Sequence, residues 1–187
     1  YYSYDDGKAE AGYGLRGQGT QNSSVAVRFN AFRGDSLRAI RMHFNRLFQD
    51  LNRNYFFYLR VWDDNGGVPG NIIYSKTGER PVYSDNLNGY ITYFLDESIY
   101  VDGPFYVGYT KTVDKLSNIG IDLNHPNQGN NFYNLGQGWV NSSIAGSLMI
   151  RPVLSMEPTV TALSPDSKVE LTVNLYPNPA SGYLHVA

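Results

Sequence analysis

The sequence predicts an all-β chain, an antiparallel β-sandwich of jelly-roll-like type, on three observations. Apolar residues recur at every second position, clusters of turn formers separate these runs, and no segment of the 187 residues carries an apolar stripe at helical spacing. The first run is Val25, Val27 and Phe29, alternating with small or polar neighbours. Next come Ile40, Met42 and Phe44, interleaved with Arg41, His43 and Asn45, which predicts one face inward and one toward water. The surrounding segment 36–51 could be helical in part, but that alternation argues for a strand followed by a loop over 45–54. Tyr55, Phe57, Leu59 and Val61 form a third ladder. Its other side, Phe56, Tyr58, Arg60 and Trp62, is aromatic enough to predict a central strand or a contact surface. Further strands are expected over 72–75, 90–95, 105–110, 119–123 and 148–154, about eight in all.

Turn formers stand between them: Asn65-Gly66-Gly67 with Pro69-Gly70, Asn88-Gly89, Asp102-Gly103-Pro104, and the Asn- and Gly-rich stretch 124–138. They supply positive or preset φ values. Many short strands without intervening helices read as a sandwich over 1–156. Residues 157–168, with Pro158 and Pro165, read as a linker. Alternation resumes at Val169, Leu171, Val173 and Leu175, so 169–187 reads as the start of a second small β domain, too short to be stable alone.

Composition narrows function more than it defines it. Fifteen Lys and Arg against 17 Asp and Glu give a net charge of −2, which offers no electrostatic footprint for nucleic acid or anionic lipid. The absence of cysteine removes disulfides, thiolate metal sites and thiol nucleophiles. No window approaches the roughly 18 apolar residues of a membrane span, and the opening Tyr1-Tyr2-Ser3-Tyr4-Asp5 is not a signal peptide, so the chain is expected to be a mature or excised fragment.

Three kinds of side chain bear chemistry. His43, His125 and His185 are the available imidazoles, yet no G-x-S-x-G, H-E-x-x-H or phosphate-loop motif accompanies them. The chain is therefore read as non-enzymatic, a small hydrolase being the least favoured alternative. Asp63, Asp64 and Asn65 offer several oxygens at once, as a calcium loop would. The competing reading is a hairpin whose Asp and Asn bond their own backbone, and no cofactor is expected beyond that one structural calcium. Tyr58, Trp62 and Trp139 are the candidates for stacking a sugar ring, with 16 Tyr, 9 Phe and 2 Trp otherwise expected to fill a core.

The tail carries a sharper signal. Tyr176-Pro177-Asn178-Pro179-Ala180-Ser181-Gly182, preceded by an apolar residue and followed by Tyr183-Leu184, resembles the opening of the type A C-terminal sorting domain of the Bacteroidetes type IX secretion system. The resemblance implies contact with the secretion machinery and a secreted or cell-surface address, with later strands of that domain missing here. The body is similar to a module of large secreted Bacteroidetes proteins, through Tyr4-Asp5-Asp6-Gly7, Val61-Trp62-Asp63-Asp64-Asn65-Gly66-Gly67-Val68-Pro69-Gly70, Phe105-Tyr106-Val107-Gly108-Tyr109 and Gly146-Ser147-Leu148-Met149-Ile150-Arg151-Pro152. That resemblance implies an address and no reaction. Asp35-Ser36-Leu37 also fits the short O-glycosylation pattern of that phylum. The expected role is a non-catalytic spacer, stabiliser or adhesion element, with carbohydrate binding as the alternative and a glycan or protein as the ligand.

Overall fold

A computed structural model describes residues 2–46 and 53–154, all within one compact unit, Tyr1–Met156. The tail with Tyr176, Pro177, Asn178, Pro179, Gly182 and His185 lies outside the described residues. The expected all-β fold holds: the described residues form ten strands, all paired antiparallel, with a short turn of 3-10 helix over Gln128–Asn130. They are β1 (Ala11–Tyr13), β2 (Ser24–Met42), β3 (Phe57–Asn65), β4 (Val68–Glu79), β5 (Ile91–Lys111), β6 (Ile119–Asp122), β7 (Asn131–Asn134), β8 (Trp139–Asn141), β9 (Ser147–Leu148) and β10 (Ile150–Leu154). The large sheet runs β4-β3-β5-β2-β7-β8, with β10 also on β2, and the small sheet runs β1-β6-β9.

Two corrections concern length. The runs at Val25 and Ile40 belong to one 19-residue strand, and those at 90–95 and 105–110 to one of 21 residues. Asp102-Gly103-Pro104 is thus no turn between strands. Gly103, at φ +69°, sits in β5 opposite Ala31, where the register shifts before Asp35 pairs with Val101. A second shift falls between Leu37 and Ala39. Such bulges bend a strand without ending it, so β2 and β5 pass together around the corner of the curled sheet. The stretch 124–138 is not all loop either, since β7 and the loop to β8 lie in it; strands this short, rich in Asn and Gly, carry no alternation to detect.

The inner faces enclose the main core. Phe44, Phe57, Tyr93 and Tyr109 meet at its centre, with Phe57 5.5 Å from both Phe44 and Tyr93 and 5.8 Å from Tyr109. Ile119, Ile121 and Leu148 of the small sheet close it. The buried phenols keep partners: Tyr93 donates to the Arg80 carbonyl at 3.0 Å and accepts from the Val82 N–H at 3.1 Å, and Tyr109 donates to the Ser117 carbonyl at 3.2 Å. Burial raises both phenol pKa values well above the ordinary tyrosine value.

Candidate functional site

The outward residues of the large sheet form rows across the strands. Arg60 of β3 stands opposite Gly108 of β5, which stands opposite Ala26 of β2, which stands opposite Phe132 of β7. One pair of residues further along, Trp62 faces Tyr106, and Tyr106 faces Arg28. Gly108 is required here, because a Cβ would collide with the Val25 carbonyl oxygen. Over this nearly bare floor of Gly108 and Ala26 gathers a second aromatic cluster. Trp62 meets Trp139 edge-on at 5.2 Å and 83°, and Tyr106 meets Phe132 at 5.4 Å and 82°.

That first contact reveals the shape of the face. Four strand spacings separate β3 from β8, about 19 Å in a flat sheet. Rings 5.2 Å apart therefore require this face to be concave. Tyr58, Trp62 and Trp139, named from the sequence, thus do share one surface, though not equally. Trp62 is only 3% exposed and presents no ring face to solvent, while Tyr58 and Trp139 remain partly exposed. Arg60 lies over the Tyr58 ring at 5.1 Å.

The acidic hairpin serves its own turn. Gly66 and Gly67, at φ +65° and +94°, form a two-residue loop between Asn65 and Val68, a geometry that demands positive φ at both positions. Asp63 accepts the Asn71 N–H at 2.5 Å and its side-chain amide at 3.2 Å. Asp64 accepts from the Gly67 N–H at 3.2 Å and from the Tyr106 hydroxyl at 2.7 Å. Burial and that carboxylate together raise the Tyr106 pKa. Asn65 is exposed at the loop. The geometry is that of the self-bonding hairpin.

A different carboxylate, Asp122, which the sequence reading did not name as a site residue, gathers Asp6 and His125 around it. Asp6, Asp122 and His125 place one ligating atom each within 4.8 Å of one another. Asp122 is fully buried. Burial alone would raise its pKa, but N–H bonds from Asp6 (2.8 Å), Asn124 (2.8 Å) and His125 (3.2 Å), with the His125 Nδ1 at 2.8 Å, outweigh that and hold it below the ordinary value. These bonds fasten the loop after β6 to the opening segment. The bond partners of His125 are Asp122 and, through its carbonyl, Ser147; those of Asp63 and Asp64 lie in their own hairpin and on Tyr106. His43 bonds the Gly89 carbonyl through Nδ1 at 2.9 Å.

A third cluster is charged and buried. Asp5 accepts from the Arg151 Nε at 3.0 Å and a second guanidinium nitrogen, from the Tyr90 hydroxyl at 2.5 Å and from the Gly7 N–H at 2.9 Å. The Arg151 guanidinium lies 4.4 Å from the Tyr90 ring centre and that of Arg41 5.3 Å from it. Burial, then the Asp5 carboxylate, raise the Tyr90 pKa. Comparison with family models, with curated proteins and with solved structures found no match for this chain.

Proposed function

We propose that the chain is a non-catalytic β-sandwich module of a secreted or surface-attached bacterial protein, acting as a spacer, stabiliser or adhesion element. The observation that carries the mechanical part is the clasp between Asp5 and Arg151, residues 146 apart in sequence. It fastens the opening segment to β10, the last of the described strands. Side chains buried at 1% and 9% exposure, joined by a forked ion pair and capped by an aromatic ring, make a fastening that water screens poorly. A module held between an anchored tail and an upstream region is loaded through its two ends, and here those ends are tied to each other.

The address rests on the motif Tyr176-Pro177-Asn178-Pro179 and Gly182. Its test is a reporter fused to the complete tail domain that begins at Val169, expressed in a host with a type IX secretion system. Surface shaving with protease should release the reporter from intact cells, and Pro177→Ala with Gly182→Val should keep it inside. A wild-type fusion retained in the cell rejects the address.

A further inference from the structure

The concave face of the large sheet combines rings with positive charge that no acid answers. Among the described residues, Arg28 and Arg60 form no ion pair, and the Arg60 Nε is buried without a hydrogen-bond acceptor. Both stand on the outward rows, Arg60 against Gly108 and two residues from Trp62 on β3, Arg28 against Tyr106, which itself faces Trp62. Asp64, two residues beyond Trp62 on β3, accepts from the Tyr106 hydroxyl and the Gly67 N–H. Desolvation lowers the Arg60 pKa, and its guanidinium lies over the Tyr58 ring at 5.1 Å. An unanswered buried donor calls for an acceptor.

We infer that this face binds an acidic saccharide, with a carboxylate or sulfate on the Arg60 and Arg28 guanidiniums and sugar rings against Tyr58 and Trp139. Guanidinium presents forked donors that match either oxyanion, and the C–H face of a sugar lies well on an aromatic ring. Trp62 then has a positioning role: fully packed, it holds Trp139 edge-on and fixes the angle of the exposed ring. A neutral sugar would use the rings but leave both cations unanswered. Bulk attraction cannot substitute for the site, because the whole chain is acidic, with a net charge of −2. The inference deepens the adhesion element of the proposed function, yet its failure would leave the address and the clasp untouched.

Native gels containing polygalacturonate, dextran sulfate, uncharged dextran or polyglutamate provide the test. Retardation is expected with one or both acidic polysaccharides and not with dextran or polyglutamate; polygalacturonate against dextran sulfate separates carboxylate from sulfate recognition. Arg60→Met and Trp139→Ala should each weaken retardation about tenfold, the loss that a charge-assisted hydrogen bond or a stacked ring predicts. Arg60→Lys should lose part of it, since charge persists without the fork. A circular-dichroism melt confirms that each variant is folded. Equal retardation by polyglutamate, retardation by dextran, no retardation by either acidic polysaccharide, or folded Arg60→Met and Trp139→Ala variants that still bind would overturn the inference.

Discussion

The two faces of the large sheet both carry aromatic rings and use them differently. On the inner face, Phe57, Tyr93, Phe44 and Tyr109 pack against one another and are sealed by the small sheet. On the outer face, Trp62, Tyr106, Phe132 and Trp139 have no second sheet above them among the described residues. There the sheet's own curvature brings the rings together, with Val68 and Trp139 packed against them and Arg60 lying over Tyr58. Rings of one chemical type thus form a large core between two sheets on one side and, on the other, a small buried cluster whose rim, Tyr58 and Trp139, stays partly exposed. What separates them is what covers the rings: a second sheet on the inner face, neighbouring side chains on the outer.

The sharpest way to break this comparison is to cut a ring from each face. Phe57→Ala on the inner face should cost about 3–5 kcal/mol in chemical denaturation, because a fully enclosed site cannot collapse around the void. Trp139→Ala should cost far less, about 1 kcal/mol for the lost edge-to-face contact. Equal losses would show the outer cluster to be a true core. Between these limits stands the clasp. Asp5→Ala strands the Arg151 guanidinium in a buried site and should cost about 3 kcal/mol, together with early proteolytic clipping of the opening segment. Arg151→Met with Asp5→Leu should recover part of that loss, which an ordinary surface pair would not do.

Charge on the inner side supplies a subtler probe. Lys111 follows Tyr109 on β5 and is buried, donating to the Leu15 carbonyl at 2.8 Å and the Thr20 hydroxyl at 2.9 Å. Desolvation lowers its pKa to about 8, against a partial opposing pull from Asp114. Between about 8 and the ordinary lysine value of 10.5 the unfolded chain holds more protons than the native one, so stability should rise with pH across that window. Above 10 the sign reverses. Tyr90, Tyr93, Tyr106 and Tyr109 keep their protons in the native state while unfolded tyrosines lose theirs, so stability should fall. Denaturant midpoints at pH 7, 8.5, 10 and 11 should pass through a maximum near 10, and Lys111→Met should flatten the rising limb only. The smallest expected effect is local. Asp122→Asn should speed hydrogen exchange at the Asp6, Asn124 and His125 amides that its carboxylate now holds, with little change in global stability.

Much of the fold was legible because alternation is a local property. Val25, Val27 and Phe29, or Phe57, Leu59 and Val61, show their inward face in sequence and bury it in space. The glycine pair at Gly66 and Gly67 announced its hairpin for the same reason. Strand length was not legible. Asp102-Gly103-Pro104 looks like a chain reversal, and whether such a segment turns back or merely bulges is decided by the partner strand lying alongside it. Of the site, Tyr58 and Trp62 were legible as one strand face and Trp139 as a residue, but neither Trp139's place on that face nor the burial of Trp62 could be read from the order of residues. Asp122 gave no signal at all; its four bonds come from an opening segment and a loop that only tertiary contact brings together.

By itself, then, the sequence determined that this chain is built of antiparallel strands with one apolar face, that it carries no thiol chemistry, and that its acidic hairpin reverses on two glycines. Those properties depend on neighbours one to four residues away. The tertiary structure alone decided which rings are sealed, that Arg28 and Arg60 form no ion pair among the described residues, and that Asp5 grips Arg151 across 146 residues. Each of these depends on how the sheet curls, and curvature is set by register between strands distant in sequence.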